Sequence, residues 1–432
     1  MKAFVHASMV AVDKDFNLYE DGMMLVDGDK IQYVGPYDAS RLDQVEQVLD
    51  YRGCWILPGL INTHTHSAMA LLRGIEDDSN LYEWLENYIW PAEADFSPED
   101  TTLAVKVALV EMLQSGTTTF NDMYNPSGVD IEKVHEVVAA SKMRAFFSPT
   151  LFSSERETSQ ETLDRTRGIL EQALSFEDPK FKVMVAPHAP YSCSRELLEG
   201  ALEVAKELDL PLHIHVAETP EETALIIERT GKRPIAYMQE LGYLDHPAVF
   251  AHGLDLDDEE IQFLAASKAG VAHNPISNLK LASGVARVTD LIEAGVTVGM
   301  ATDSTASNNN LDLFEETRTA ALLQKARLRD ARDFPIEMAL RSMTIESAKL
   351  LGLDDQIGSL EVGKQADFLV IDPRNKIHLY PLENMLSHLV YALKGSDVTD
   401  VYIGGERVVE AGKVLSLDQD VLFKELAERK QG

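Results

Sequence analysis

Residues 59–66 read Gly59-Leu60-Ile61-Asn62-Thr63-His64-Thr65-His66, an apolar run that closes on two histidines two positions apart. Side chains alternate along a strand, so residues i and i+2 share a face and both imidazoles point the same way. Seven further stretches have this form: GTTTFNDM (116–123), RAFFSPT (144–150), KVMVAPHAP (182–190), LPLHIHVAE (210–218), AVFAHG (248–253), GVAHNP (270–275) and VTVGMATDS (296–304). Between most of them lie helical patterns, as in residues 98–116, 195–208 and 257–270, the last two with Gly or polar stops where a helix should end. Eight strands, each followed by a helix or long loop, predict an α/β fold: a parallel (β/α)8 TIM barrel over residues 58–355. A doubly wound sheet would place a Gly-rich phosphate loop after its first strand, and none is present.

The chain ends have a different grammar. MMLVDGDKIQYVG (23–35) reads as two strands around Asp27-Gly28, and VYIGGERVVEAGKVLS (401–416) as strands around Gly404-Gly405. DFLVID (367–372) is a further short strand. Such strands need a partner sheet. Residues 1–57 and 356–432 are therefore expected to meet in one small β-sandwich domain, with the barrel inserted between them.

Over 432 residues, 71 acidic against 39 basic side chains give a net charge of −32. A nucleic-acid partner needs clustered Lys and Arg, and an anionic membrane surface repels such a chain. There is no apolar run long enough for a spanning helix and no signal-peptide core. Two cysteines, Cys54 and Cys193, are too few for a disulfide framework or a Cys-rich metal site. The expectation is a cytoplasmic protein, without nucleic acid or membrane.

Reactive groups of an α/β barrel stand at the C-terminal strand ends. There the sequence puts His64, His66, Asn121, Asp122, His188, His213, His215, His252, His273 and Asp303. With 12 histidines in the chain, roughly 0.3 His-x-His pairs are expected by chance, and two occur, each closing a strand. His64, His66, one strand-five histidine and Asp303 would offer zinc three nitrogens and one oxygen. Spacing leaves His213 and His215 both open; His215 is favoured because it is nearer the strand end and three residues before Glu218. Glu218 reads either as an acid at a helix start or, beside a metal-activated water, as a proton carrier. His252 could orient the attacking water or the leaving group. In the segment 67–95, Leu81, Trp84, Leu85 and Tyr88 have helical spacing and read as packing, while Glu93, beyond Pro91, is a candidate to reach the site. Ser307-Asn308-Asn309-Asn310 lines a pocket or caps a helix.

GLINTHTHSAMALLRG (59–74), APHAPYSCS (186–194), HVAETPEE (215–222), HNPISNLKLASG (273–284) and ATDSTASNNNLD (301–312) resemble the amidohydrolase superfamily. With IWPAE (89–93) the set resembles its 5-methylthioadenosine/S-adenosylhomocysteine deaminases more narrowly, and the likeness continues through GKQADFLVID (363–372). The resemblance implies one divalent metal, normally zinc, held by His64, His66, His215 and Asp303. It implies Glu218, His252 and Asp303 as catalytic groups, Glu93 against ribose hydroxyls, and His188 near the sugar or its 5′ substituent. The absence of a lysine at the end of strand four favours one metal over two. The implied reaction is hydrolytic deamination of an adenine nucleoside: 5′-methylthioadenosine, S-adenosylhomocysteine, 5′-deoxyadenosine or adenosine. Triazine dechlorination, guanine or pyrimidine deamination, and a catalytically silent binding protein are the alternatives. Fold-level analogy adds a homo-oligomer. One departure stands out: Pro149 occupies the place where relatives accepting S-adenosylhomocysteine carry an Arg, with Arg144 earlier in the strand and Arg156 beyond it as possible substitutes.

Overall fold

The computed structural model describes residues 1–125 and 129–429. Five N-terminal strands come first: β1 (Lys2–Val10), β2 (Leu18–Asp27), β3 (Lys30–Pro36), β4 (Gln47–Asp50) and β5 (Trp55–Pro58). A run of short strands follows: β6 (Leu60–Thr65), β7 (Thr117–Tyr124), β8 (Arg144–Leu151), β9 (Phe181–Val183), β10 (Ala186–Pro187), β11 (Leu212–Val216), β12 (Ala248–His252), β13 (Ala269–His273) and β14 (Val298–Met300). The C-terminal part adds β15 (Phe368–Ile371), β16 (Val398–Ile403), β17 (Glu406–Glu410) and β18 (Lys413–Val414).

Strands β6 to β14 form two parallel sheets, β10-β8-β7-β6 with β9 on β8, and β11-β12-β13-β14. Their edges meet through parallel bridges, Thr65 with Asp303 and Val185 with Leu212. The fourth expected strand is split in two. At the break the Val185 N–H turns away to Pro211 O, 3.0 Å, and the chain shares its bonding between two neighbours. Helices follow most strands; that at Pro98–Gln114 starts at a capping box formed by Ser97 and Asp100, with Pro98 in its first turn.

Both chain ends contribute to a nine-stranded sheet, in which β15 pairs antiparallel with β5. The alternation of β15 fits two apolar layers: Phe368 and Val370 pack with Phe4 and Tyr402, while Leu369 and Ile371 join the large core under the parallel sheets. Phe4 and Phe368, from opposite ends of the chain, meet edge to face at 4.9 Å. Arg144, at the start of β8, is bound into this junction, its Nε 2.7 Å from the Asp367 carboxylate.

The segment after β6 is less regular than its spacing predicts. Leu81, Trp84 and Leu85 are buried, but the fourth buried position is Ile89, with Tyr88 only partly covered. A π-helical turn at Leu85–Ile89 widens the helix there and shifts the apolar stripe by one residue. Among the described residues no helix is long and apolar enough to cross a membrane. Cys54 and Cys193 are buried and unpaired with each other.

Candidate metal centre and active site

Because the strands run parallel, their C-terminal ends lie together and bring residues far apart in sequence to one rim. His64 and His66 close β6, His215 comes from β11, and Asp303 follows β14. The Nε2 atoms of His64 and His66 each lie 3.4 Å from Asp303 Oδ1, and those of His66 and His215 are 3.3 Å apart. Four ligands at zinc's bond lengths, arranged tetrahedrally, stand about 3.3 Å from one another. Each ring is held from behind through Nδ1: His66 at Met123 O, 3.1 Å; His215 at His188 O, 2.8 Å; His64 at His213 Nε2, 2.8 Å. Such outer contacts fix the tautomer and leave Nε2 free to bind. His64 Nε2 is buried without a hydrogen-bond partner. Burial lowers the pKa of all three imidazoles, that of His66 to about 3, which keeps them in the neutral form a metal requires. The residues present thus fit one divalent ion. His213, the other strand-five candidate, stands behind His64 instead, with Ser148 Oγ 3.4 Å from its other nitrogen.

Asp303 is fixed on both oxygens. The Ser304 N–H reaches Oδ1 at 2.8 Å, while the Ser277 and Ser307 hydroxyls reach Oδ2 at 2.6 and 3.1 Å. Ser307, in the stretch whose sequence suits a pocket lining or a helix cap, turns its hydroxyl to Asp303, and Ser304 caps the short helix Thr305–Asn308. Burial favours the protonated form of Asp303, but the imidazoles around it, His64 first, hold its carboxyl well below the usual carboxylate range. Glu218 is the opposite case: burial, then the nearby Asp303 charge, push its carboxyl well above the ordinary value. The helix Pro220–Thr230 is capped by Thr219, so Glu218 precedes the cap and is free for another role. Glu222, fully buried, accepts from the Ala217 and Glu218 N–H groups at 3.0 and 2.8 Å and fixes the turn that presents Glu218. Ala217, His252 and Asp303 all have positive φ, 55°, 75° and 58°. Strained backbone of this kind collects where side chains must be aimed.

These groups share a cleft of about 540 Å³, open mouth included. His66, His188, His215, Glu218, His252 and Asp303 line its floor, with Trp84, Leu85, Trp90, Phe152 and Leu281 as apolar wall. Glu93 faces the same cleft, and burial lifts its carboxyl to about 7, opposed by a hydrogen bond from Asn125. His188 is stacked on Phe152 at 4.4 Å, with Nδ1 2.7 Å from Ser192 Oγ.

Other candidates lie elsewhere. His273 is buried outside the cleft. Asn121 donates to Thr63 O at 3.0 Å, and Asp122 accepts the Ser67 N–H at 2.8 Å, so both brace the strand ends. Pro149 is not part of the cleft wall; its neighbours Thr150 and Phe152 are. Arg156 is exposed, and among the described residues no lysine or arginine lines the cleft. Sequence reasoning missed Ser277, Asn278 and Glu222; the first two stand in the quoted HNPISN stretch, but nothing local marks what they hold.

A model of the amidohydrolase family matches residues 55–408. The chain belongs to the amidohydrolase family. This amidohydrolase is 46% identical, over 99% of its length and 98% of the relative's, to a 5-methylthioadenosine/S-adenosylhomocysteine deaminase of Bacillus cereus (strain AH820). It superposes with a TM-score of 0.93 on an adenosine deaminase from Xanthomonas campestris with bound zinc, at 33% identity, covering 100% of this chain and 98% of that one. An atrazine chlorohydrolase from Arthrobacter aurescens complexed with zinc shares the fold, with a TM-score of 0.89 at 23% identity and 99% coverage of both chains. The family, the zinc-bound adenosine deaminase at 33% identity and the histidine–aspartate cluster together indicate a divalent metal in this enzyme.

Proposed function

We propose that this amidohydrolase is a zinc-dependent deaminase that replaces the 6-amino group of an adenine nucleoside with oxygen and releases ammonia. One arrangement carries the reading: a proton-bearing Glu218 and His252 flank the His64–His66–His215–Asp303 cluster, with a carboxylate, Glu93, across the same cleft. The metal would be held by those four residues and would supply Lewis acidity that makes water nucleophilic at neutral pH.

The protein groups do the rest. Glu218, whose protonated form burial favours, donates from its carboxyl to the ring nitrogen beside C6 and makes that carbon electrophilic. Asp303, kept ionised, takes a proton from the attacking water and passes it to the departing amino nitrogen. The C6–O bond forms first; the tetrahedral carbon then expels ammonia as the C6–N bond breaks, and the proton of the C6 hydroxyl returns to Glu218, leaving C6=O and a protonated ring nitrogen in the product. His252 Nε2 lies 3.6 Å from Glu218 Oε1 and orients the incoming water. Glu93 accepts hydrogen bonds from the ribose hydroxyls, His188 flanks the sugar, and the Trp84 and Trp90 wall excludes bulk water.

A cleft with several carboxylates and no lysine or arginine along its described wall favours neutral 5′ substituents. We therefore place 5′-methylthioadenosine, 5′-deoxyadenosine and adenosine ahead of S-adenosylhomocysteine, whose tail carboxylate would lack a guanidinium partner. The same reading takes the two parallel sheets as one closed (β/α)8 barrel over residues 58–355, supported by the Thr65–Asp303 and Val185–Leu212 bridges. It takes residues 1–57 and 356–432 as a separate β-sandwich domain, supported by the Phe4–Phe368 core.

The test is ammonia release and the purine absorbance change when zinc-loaded enzyme meets each of the four nucleosides. Turnover of at least one supports the proposal; silence on all four with zinc bound overturns it.

A further inference from the structure

Strand β13 lies between β12 and β14, and the helix that follows it, Pro275–Lys280, reaches a functional side chain on each neighbour. Asn278 Oδ1 is 2.8 Å from His252 Nδ1, and Ser277 Oγ donates to Asp303 Oδ2 at 2.6 Å. Both helix residues are buried. The helix is itself pinned: the Ile276 N–H reaches Glu316 Oε2 at 3.1 Å, and the other oxygen of this fully buried Glu316 accepts from Asn308, at the end of the short helix after β14. His252 and Asp303 have left-handed backbone conformations, so their side-chain directions depend on what surrounds them.

We propose that Asn278 is a positioning residue that sets the tautomer of His252. An amide oxygen accepts but cannot donate, so it selects the ring form with hydrogen on Nδ1 and a bare lone pair on Nε2. That bare nitrogen faces the cleft and Glu218 Oε1, where it can accept a hydrogen bond from water and orient it toward C6. The opposite tautomer would present an N–H there and could only donate. The rival contact on Nδ1, Asn274 Nδ2, is farther at 3.5 Å, and this amide already donates to Ala272 O at 3.2 Å. Ser277, the preceding residue, fixes the Asp303 oxygen that faces away from the histidines. One short helix thus aims two groups whose strands it does not belong to.

The inference rests on the deaminase reading, and the two can fail separately. The first measurement is the nitrogen NMR spectrum of zinc-loaded enzyme carrying labelled histidine, with His252→Gln to assign the signal. Hydrogen on Nδ1 and a bare Nε2 are expected; hydrogen on Nε2 overturns the inference whatever the activity. The second compares Asn278→Leu, which removes the acceptor at similar size, with Asn278→Asp, which keeps it. Leucine is expected to lower kcat on the order of 100-fold, leaving KM and bound zinc within about threefold of wild type. Aspartate is expected to return kcat to within about tenfold of wild type. An Asp variant no better than the Leu variant, or an unimpaired Leu variant, overturns the assignment. If the Leu variant does not fold, the wild-type spectrum and the Asp variant still decide. Wild-type silence on every nucleoside would instead sink the deaminase reading, and the tautomer would then be judged by NMR alone.

Discussion

Glu218 Oε1 and His252 Nε2 face each other across 3.6 Å, with at most 5% of either side chain exposed. Burial pushes the Glu218 carboxyl well above its ordinary value and the His252 imidazole below its own, and both shifts favour a neutral pair with the proton on the glutamate. Glu218→Gln keeps the shape and removes the transferable proton. It is expected to retain zinc and to lose on the order of 1,000-fold in kcat, read from ammonia release beside metal analysis. Substantial turnover would remove Glu218 from the chemistry.

His213 touches no substrate in this scheme but holds His64 at 2.8 Å. Removing an outer partner of a metal-bound histidine typically costs 10- to 100-fold in metal affinity or activity. His213→Leu should therefore surrender zinc to a chelator at about 10- to 100-fold lower concentration than wild type, while His215→Leu should fail to hold zinc at all. Equal retention in both variants would contradict the assignment of strand-five roles.

Glu93 gives the pH dependence. Burial raises its carboxyl from the ordinary 4.5 to about 7, so it is largely protonated at pH 6 and ionised at pH 8. An ionised carboxylate accepts hydrogen bonds from hydroxyls more strongly than a neutral one. KM for a ribose-bearing substrate should fall as pH rises through 7, and Glu93→Gln should flatten that change. A wild-type KM that rises with pH would reverse the sign and discard the ribose contact.

The Arg144–Asp367 pair tests the junction between the parallel sheets and the composite sheet. Asp367 is 2% exposed at its side chain and also accepts the Gly404 N–H at 2.7 Å. Breaking a buried pair from one side typically costs about 3–5 kcal/mol, because it strands the other charge. Asp367→Ala should lose stability of that order in denaturant unfolding, and the double variant Arg144→Met, Asp367→Leu should recover much of it. No loss in the single variant would mean that water reaches the guanidinium.

Much of this was legible because it is periodic. Alternation put His64 and His66 on one face, and strand-like runs of six to nine residues marked most strands. Two departures have local causes that no period reports: the π turn that buries Ile89 in place of Tyr88, and the Val185 break that divides the fourth strand. Pro149, marked from the resemblance, is absent from the cleft wall that Thr150 and Phe152 form.

By itself, then, the sequence determined the strand order, the residue types at the strand ends, and the metal-ligand and acid candidates, since all follow from spacing within one segment. Only the tertiary structure set His215 against His66 and His213 behind His64, paired Arg144 with Asp367, and brought Asn278 to His252. Those contacts join segments 26 to 223 residues apart. Which atoms meet across such distances depends on sheet register and on where each strand ends, and neither is written in the local pattern of a single strand.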